Sequence, residues 1–179
     1  WHVLQALPAN DLPPGVRVHL DTAAFHQDGR KLGLGSSAAL SVAVYGALCR
    51  LLRLPSSCTG AMDSHRRLQG GMGSGIDVAA AWHGGLLRYQ RVGTGGQASA
   101  WSLPEPLQVI FVWSGTPART ADHLSRLQQW LGRGQGVELG ALAAQARSLF
   151  DLPDPLPALR DYVALLEELD GAAGLGIFS

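Results

Sequence analysis

The chain of 179 residues is 46% hydrophobic and carries 14 acidic and 14 basic side chains. That length buries a proper core and suits one domain, or one with a small addition, while a formal net charge of zero offers no basic field for nucleic acid or a membrane surface. Cys49 and Cys58 lie outside any CxxC or Cys/His metal spacing, and no apolar run nears the roughly 18 residues of a membrane span, so a reduced, cytoplasmic setting is expected.

In chain order, Trp1 to Gly15 reads as loop, broken by Pro8, Pro13 and Pro14. An opening on Trp1 rather than Met, with no signal-peptide pattern, suggests a fragment of a longer protein. Val16 to Leu20 alternates with period two and predicts a half-exposed strand, and Asp28-Gly29 is a turn signal. Ala38 to Leu52, rich in Ala and Leu, predicts a buried helix stopped near Leu54-Pro55. A second helix is expected over Thr59–Gln69 and a third, short one over Ile76–Trp82, closed by Gly84-Gly85, with the glycine-rich turn Gly70–Gly75 between them. Leu86–Val92 predicts a strand followed by a turn at Gly93–Gly96, and Leu107–Trp113 is the best candidate for a central strand. Ser114–Ala118 reads as a turn, Arg119–Leu131, Val137–Leu149 and Pro157–Leu169 as helices, and Gly171–Ser179 as a connection. Strands early and helices late predict an α+β fold.

The chemistry centres on two glycine-rich turns. Leu32-Gly33-Leu34-Gly35-Ser36-Ser37 runs straight into a helix, whose first N–H groups and positive dipole end favour an anion. Ser36 or Ser37 is expected to cap that helix, leaving a hydroxyl for a metal held by the same anion. Gly33-x-Gly35-x-x-Ala38 also satisfies the dinucleotide-binding fingerprint, but His26 to Lys31 is too polar for the buried strand that should precede it, and no acidic residue lies about 20 positions on. A Walker A loop is excluded because no Gly-Lys-Ser/Thr occurs. The second turn, Gly73-Ser74-Gly75-Ile76-Asp77, sets a carboxylate in the first turn of a helix. Alone it reads as a dipole-stabilising acid; beside a phosphate cradle it can orient a substrate hydroxyl or accept its proton. His65 and His83 read as helix-surface or cap residues, and Trp82, Trp101, Trp113 and Trp130 as packing.

Lys31-Leu-Gly-Leu-Gly-Ser-Ser-Ala-Ala39 resembles the second signature of the GHMP kinases, and Gly73-Ser-Gly-Ile-Asp77-Val-Ala-Ala-Ala81 with Gly84-Gly85 resembles the segment carrying that family's catalytic aspartate. Trp113-Ser-Gly-Thr-Pro-Ala-Arg-Thr120 resembles the family's strand-to-helix loop, and His65-x-x-x-Gln69-Gly70 is most similar to the phosphomevalonate kinase branch. The resemblance implies ATP and Mg²⁺ as cofactors, with Lys31, Gly33, Leu34, Gly35, Ser36, Ser37 and Ala38 around the phosphates, Ser37 as metal ligand and Asp77 as the catalytic residue. It further implies a ribosomal-protein-S5-like domain over residues 1–104, then a strand and helices over 105–179 leading into a ferredoxin-like part. The family's first and third signatures are missing, which again points to a fragment.

The acceptor implied is a small metabolite of mevalonate or phosphomevalonate type, with Ser74, Gly75, Arg66, Ser114, Thr116 and Arg119 on its side of the site. Mevalonate kinases place a metal-binding glutamate where this chain has Arg66, a cation suited to an anionic substrate group or to an ordinary solvated helix face. Self-association as a homodimer stays open. The rival reading is a relic of the same fold that binds a ligand or partner without catalysis.

Overall fold

The computed structural model describes residues 13–71, 73–93, 95–115, 120–134 and 137–178. They fall into two units, one drawn from Trp1–Leu103 with Val112–Pro117 and the other from Pro104–Phe111 with Ala118–Ser179. The architecture is a mixture of α and β.

The first unit begins with a two-residue hairpin, β1 (His26–Gln27) against β2 (Arg30–Lys31), in the register His26 to Lys31. Asp28 and Gly29 between them both take positive φ, 50° and 73°. That is the backbone of a type I′ turn, whose twist suits a tight hairpin. Three helices follow: α1 (Ser36–Leu51), α2 (Cys58–Leu68) and α3 (Ile76–His83). A second antiparallel hairpin completes the unit, β3 (Leu87–Val92) with β4 (Gly95–Ala100), pairing Leu87 with Ala100 and Val92 with Gly95.

One apolar cluster joins these helices. Ala38, Tyr45, Leu48 and Cys49 of α1 meet Ala61 and Met62 of α2 and Val78 and Ala79 of α3, and Leu87, Tyr89 and Ala98 of the hairpin pack against them. The α1 contributors recur at helical spacing, so α1 is buried along one stripe instead of all round as its composition suggested. Small residues bring the helices close: a Cβ on Gly60 would run into the Tyr45 ring and hydroxyl. The Tyr45 and Trp82 rings meet at a tilt, with centroids 6.3 Å apart. Helix α2 is capped by Ser57, whose side chain accepts the Gly60 N–H, a bond of the kind worth about 1 kcal/mol.

Two predicted strands do not form. Val16–Leu20 is irregular, with Val18 and Leu20 about half exposed, and Leu107–Trp113 is irregular, with Ile110, Phe111 and Val112 82%, 85% and 86% exposed. Among the described residues the strands are the two hairpins, and neither run pairs with them. An apolar run becomes a strand only where another strand completes its hydrogen bonds. Conversely, Gly95–Ala100, its first two residues assigned to a turn and none of it expected as strand, is held in β4 by pairing with β3.

The second unit contains α4 (Thr120–Leu131), α5 (Val137–Ser148) and α6 (Leu156–Ala173), with Trp130, Leu142, Leu169 and Leu175 forming its core. Helix α6 continues through Gly171, which the sequence placed in a connection, and stops at Gly174 with φ 61°. One glycine inside a helix costs only about 1 kcal/mol, and Gly174 supplies the left-handed stop. The chain then folds back. The Asp170 carboxylate accepts the N–H groups of Ile177 and Phe178 at 3.0 and 3.1 Å, while His123 Nδ1 and Arg126 Nη1 donate to the Leu175 carbonyl at 2.8 and 3.1 Å. Those backbone bonds hold the Asp170 carboxyl below its ordinary range. A carboxylate whose folded pKa is depressed adds stability that is complete above about pH 4, the unfolded value, and fades as pH falls through the folded one. Asp170→Asn is therefore expected to lower the melting temperature at pH 7 and to flatten its fall at acidic pH, read by scanning calorimetry from pH 7 to 2. Among the described residues no helix is long and apolar enough to cross a membrane.

Candidate active site

The stretch from Leu32 to Ala38 turns through two left-handed glycines, Gly33 at φ 75° and Gly35 at φ 71°. Gly35 is itself the N-cap of α1 and makes no side-chain cap bond, so neither serine caps the helix as expected. The first backbone bond of α1 runs from the Ala39 N–H to the Gly35 carbonyl. The N–H groups of Ser36, Ser37 and Ala38 thus precede the helix ladder and carry its positive end. Space is open beside Gly33 and Gly35, where an added Cβ would meet nothing within 4 Å. The serines differ: Ser36 is buried and Ser37 exposed, which leaves Ser37 Oγ as the hydroxyl at the surface of the turn. Lys31, at the end of β2, is exposed, as is Leu34.

Helix α3 repeats this construction. Gly75 is its left-handed N-cap, at φ 79°, again without a side-chain cap bond. Asp77 is exposed in the first turn, and its Oδ1 accepts the Val78 N–H at 3.0 Å. The residues next in sequence to Ser37 and Asp77, Ala38 and Val78, are both fully buried in one cluster, so the first turns of α1 and α3 share a floor. Gly75 is confined as well as turned: a Cβ there would lie 3.2 Å from the Tyr89 hydroxyl and 3.3 Å from Met62 Sδ.

Tyr89, on β3, donates its hydroxyl to the Ser74 carbonyl and so props the turn ahead of Asp77. Burial pushes the Tyr89 pKa up, opposed by the positive charges of Arg66 and Arg91; Asp77 also acts on it electrostatically. Arg66 bonds the Asp63 carboxylate at 3.0 Å and is about one-fifth exposed, so its cation does not lie on a fully solvated face. On the other side of α2, His65 is 2% exposed and shares a 3.3 Å hydrogen bond with Ser37 Oγ. It is not the surface residue its sequence context suggested.

The acceptor-side loop is less fully described. Ser114 is exposed and Arg30 donates to the Gly115 carbonyl at 3.5 Å, while Thr116 and Arg119 lie outside the described residues. The sequence missed Tyr89, Gly96 and His65 as parts of the site. A Cβ on Gly96 would overlap the Tyr89 ring and hydroxyl, so β4 shapes the α3 turn through that tyrosine. Removing the bond alone, by Tyr89→Phe, is expected to cost about 0.5–1.5 kcal/mol in stability. Urea unfolding reads that loss.

The chain is similar in sequence to known proteins. Residues 1–85 match the family model of the GHMP kinases N terminal domain. The chain is 31% identical, over an alignment of 198 positions, to a phosphomevalonate kinase of Streptomyces sp. (strain CL190), an alignment that takes in 88% of this chain and 51% of that protein. The chain thus spans about half the length of that relative. No solved structure gives a significant match. Both glycine-headed helix starts, with Ser37 and Asp77, fall inside the stretch that is similar to the GHMP kinases N terminal domain.

Proposed function

We propose that this chain carries the ATP-binding and catalytic half of a small-molecule kinase, transferring the terminal phosphoryl group of ATP to an acceptor of mevalonate or phosphomevalonate type. On this reading residues 1–104 adopt the ribosomal-protein-S5-like fold, and residues 105–179 lead into a ferredoxin-like part. The observation that carries the proposal is the pair of glycine-headed helix starts on one buried floor, one presenting a hydroxyl and the other a carboxylate.

The residues present fit Mg·ATP. The Gly33–Gly35 turn leaves open space and three N–H groups ahead of the ladder, which suits phosphate oxygens. Among the described residues no three His, Cys, Asp or Glu side chains are grouped to hold a metal ion. A divalent cation here would take Ser37 Oγ as its protein ligand and draw the others from phosphate and water. Bound there, Mg·ATP supplies the transferable phosphoryl group and the charge that offsets its negative oxygens.

The protein's own part is positioning. Asp77 holds the acceptor in line and takes its proton when the acceptor is a hydroxyl; an acceptor phosphate, already ionised at neutral pH, needs it chiefly for orientation. Ser74 and Gly75 bound the acceptor's seat, Arg66 offers positive charge to an anionic group on it, and Lys31 does the same toward the nucleotide. Ser114, Thr116 and Arg119 complete the acceptor side.

The test is ADP release by the full-length protein with mevalonate, phosphomevalonate, homoserine and a set of sugars. Release that depends on mevalonate or phosphomevalonate is the expected result. Release with none of them, alongside intact nucleotide binding, would favour the non-catalytic relic.

A further inference from the structure

His65 is almost fully buried, yet the packing around it does not call for an imidazole. The other buried residues of α2 are Ala61, Met62 and Ser64, and burying a polar ring costs free energy unless its nitrogens are bonded. Its Nε2 is directed at one atom, Ser37 Oγ, 28 residues earlier in the chain and on a different helix. Ser37 itself remains exposed.

A serine hydroxyl has one proton and two lone pairs. To ligate a cation it must offer a lone pair outward, an orientation that is fixed when its proton is held elsewhere. An unprotonated Nε2 is an acceptor for that proton, and in a neutral imidazole this places the ring proton on Nδ1. We propose that His65 is a positioning residue: as the Nδ1–H tautomer it accepts the Ser37 hydroxyl proton at Nε2 and turns the Ser37 lone pairs toward a cation on the phosphate cradle. Such outer partners of a ligand fix its orientation and commonly matter to metal affinity. The proposal rests on the kinase reading above.

The experiment has two arms on the full-length protein. In the first, AMP-PNP is titrated calorimetrically with Mg²⁺ and again with EDTA. His65→Leu is expected to lose about 3–10-fold in affinity with Mg²⁺, the worth of one hydrogen bond, and nothing with EDTA. His65→Gln, whose amide oxygen can accept the same proton, is expected to recover most of the loss. Equal losses with and without Mg²⁺, or no loss in a His65→Leu variant whose circular dichroism is native, would overturn the proposal. In the second arm, ¹⁵N spectra of the imidazole are expected to show Nε2 unprotonated, with a resonance that moves in Ser37→Ala. A protonated Nε2 in the neutral ring would also overturn it. A wild-type protein that binds no AMP-PNP in either buffer would defeat the kinase reading and the ligand role together, whereas the spectra report on the hydrogen bond by itself.

Discussion

Asp77→Asn is expected to lower kcat for phosphoryl transfer by about 10²–10⁴-fold while leaving nucleotide affinity nearly unchanged. The substitution is close to isosteric. Asp77 Oδ1 accepts the Val78 N–H at 3.0 Å, and an asparagine oxygen can accept the same bond, so the start of α3 is kept. What disappears is the negative charge and the capacity to take a proton. Loss of an acid at a helix N-terminus costs roughly 0.3–1 kcal/mol, small beside the kinetic effect and separately visible as a lower melting temperature. A loss at the low end of the range is expected for an acceptor that is already an ionised phosphate, because little proton transfer remains to be catalysed. Steady-state kinetics beside calorimetric titration with AMP-PNP make the measurement. A parallel loss in affinity would mean that Asp77 serves the cradle instead of the acceptor.

Gly96→Ala tests a different link, from the second hairpin to the turn ahead of Asp77. The new methyl group would occupy space held by the Tyr89 ring and hydroxyl, and its neighbours Tyr89 and β3 are fixed by strand pairing. Overpacking of that kind typically costs about 1–3 kcal/mol. Relief requires Tyr89 to swing away, which also surrenders its bond to the Ser74 carbonyl and loosens the Gly75 cap of α3. Stability and kcat are therefore expected to fall together. Gly46→Ala is the control: Gly46 lies inside α1 with nothing within 4 Å of an added Cβ, so alanine there should be neutral or stabilising by up to about 1 kcal/mol. Equal effects of the two substitutions on unfolding would remove Tyr89 from the account.

The helices of this chain were legible because their signals are local. Glycine turns ahead of Ser36 and Ile76, the cap at Ser57 and the stop at Gly84 each act within a turn or two of the backbone, and the observed ends lie within two residues of those expected. Helix α6 departs because its stop is Gly174, three residues beyond the glycine that seemed to end it. Strands depend on partners. Leu107–Trp113 has the composition of a central strand and no strand beside it among the described residues, whereas Gly95–Ala100 has the composition of a turn and a strong partner in β3.

The same division runs through the site. Gly33, Gly35, Ser37 and Asp77 announce themselves by spacing, since an anion site at a helix start is built from consecutive residues. Tyr89, Gly96 and His65 act across the fold on Ser74 and Ser37, and nothing in their own surroundings in sequence distinguishes a supporting tyrosine or histidine from a packing one. The two serines show the limit at its finest. Which hydroxyl lies at the surface depends on the pitch of α1 against α2 and α3, and only the packed unit separates buried Ser36 from exposed Ser37.

The central claim is that the first turns of α1 and α3 line one site, the first holding the nucleotide phosphates and the second the acceptor beside them. Backbone amide resonances followed during titration of the ¹⁵N-labelled protein with Mg·AMP-PNP test it most directly. The account predicts saturable shifts, with one common dissociation constant, at Gly33, Gly35, Ser36, Ser37 and Ala38 together with Gly75, Ile76 and Asp77. Shifts confined to one of these turns, or to residues outside both, would contradict it.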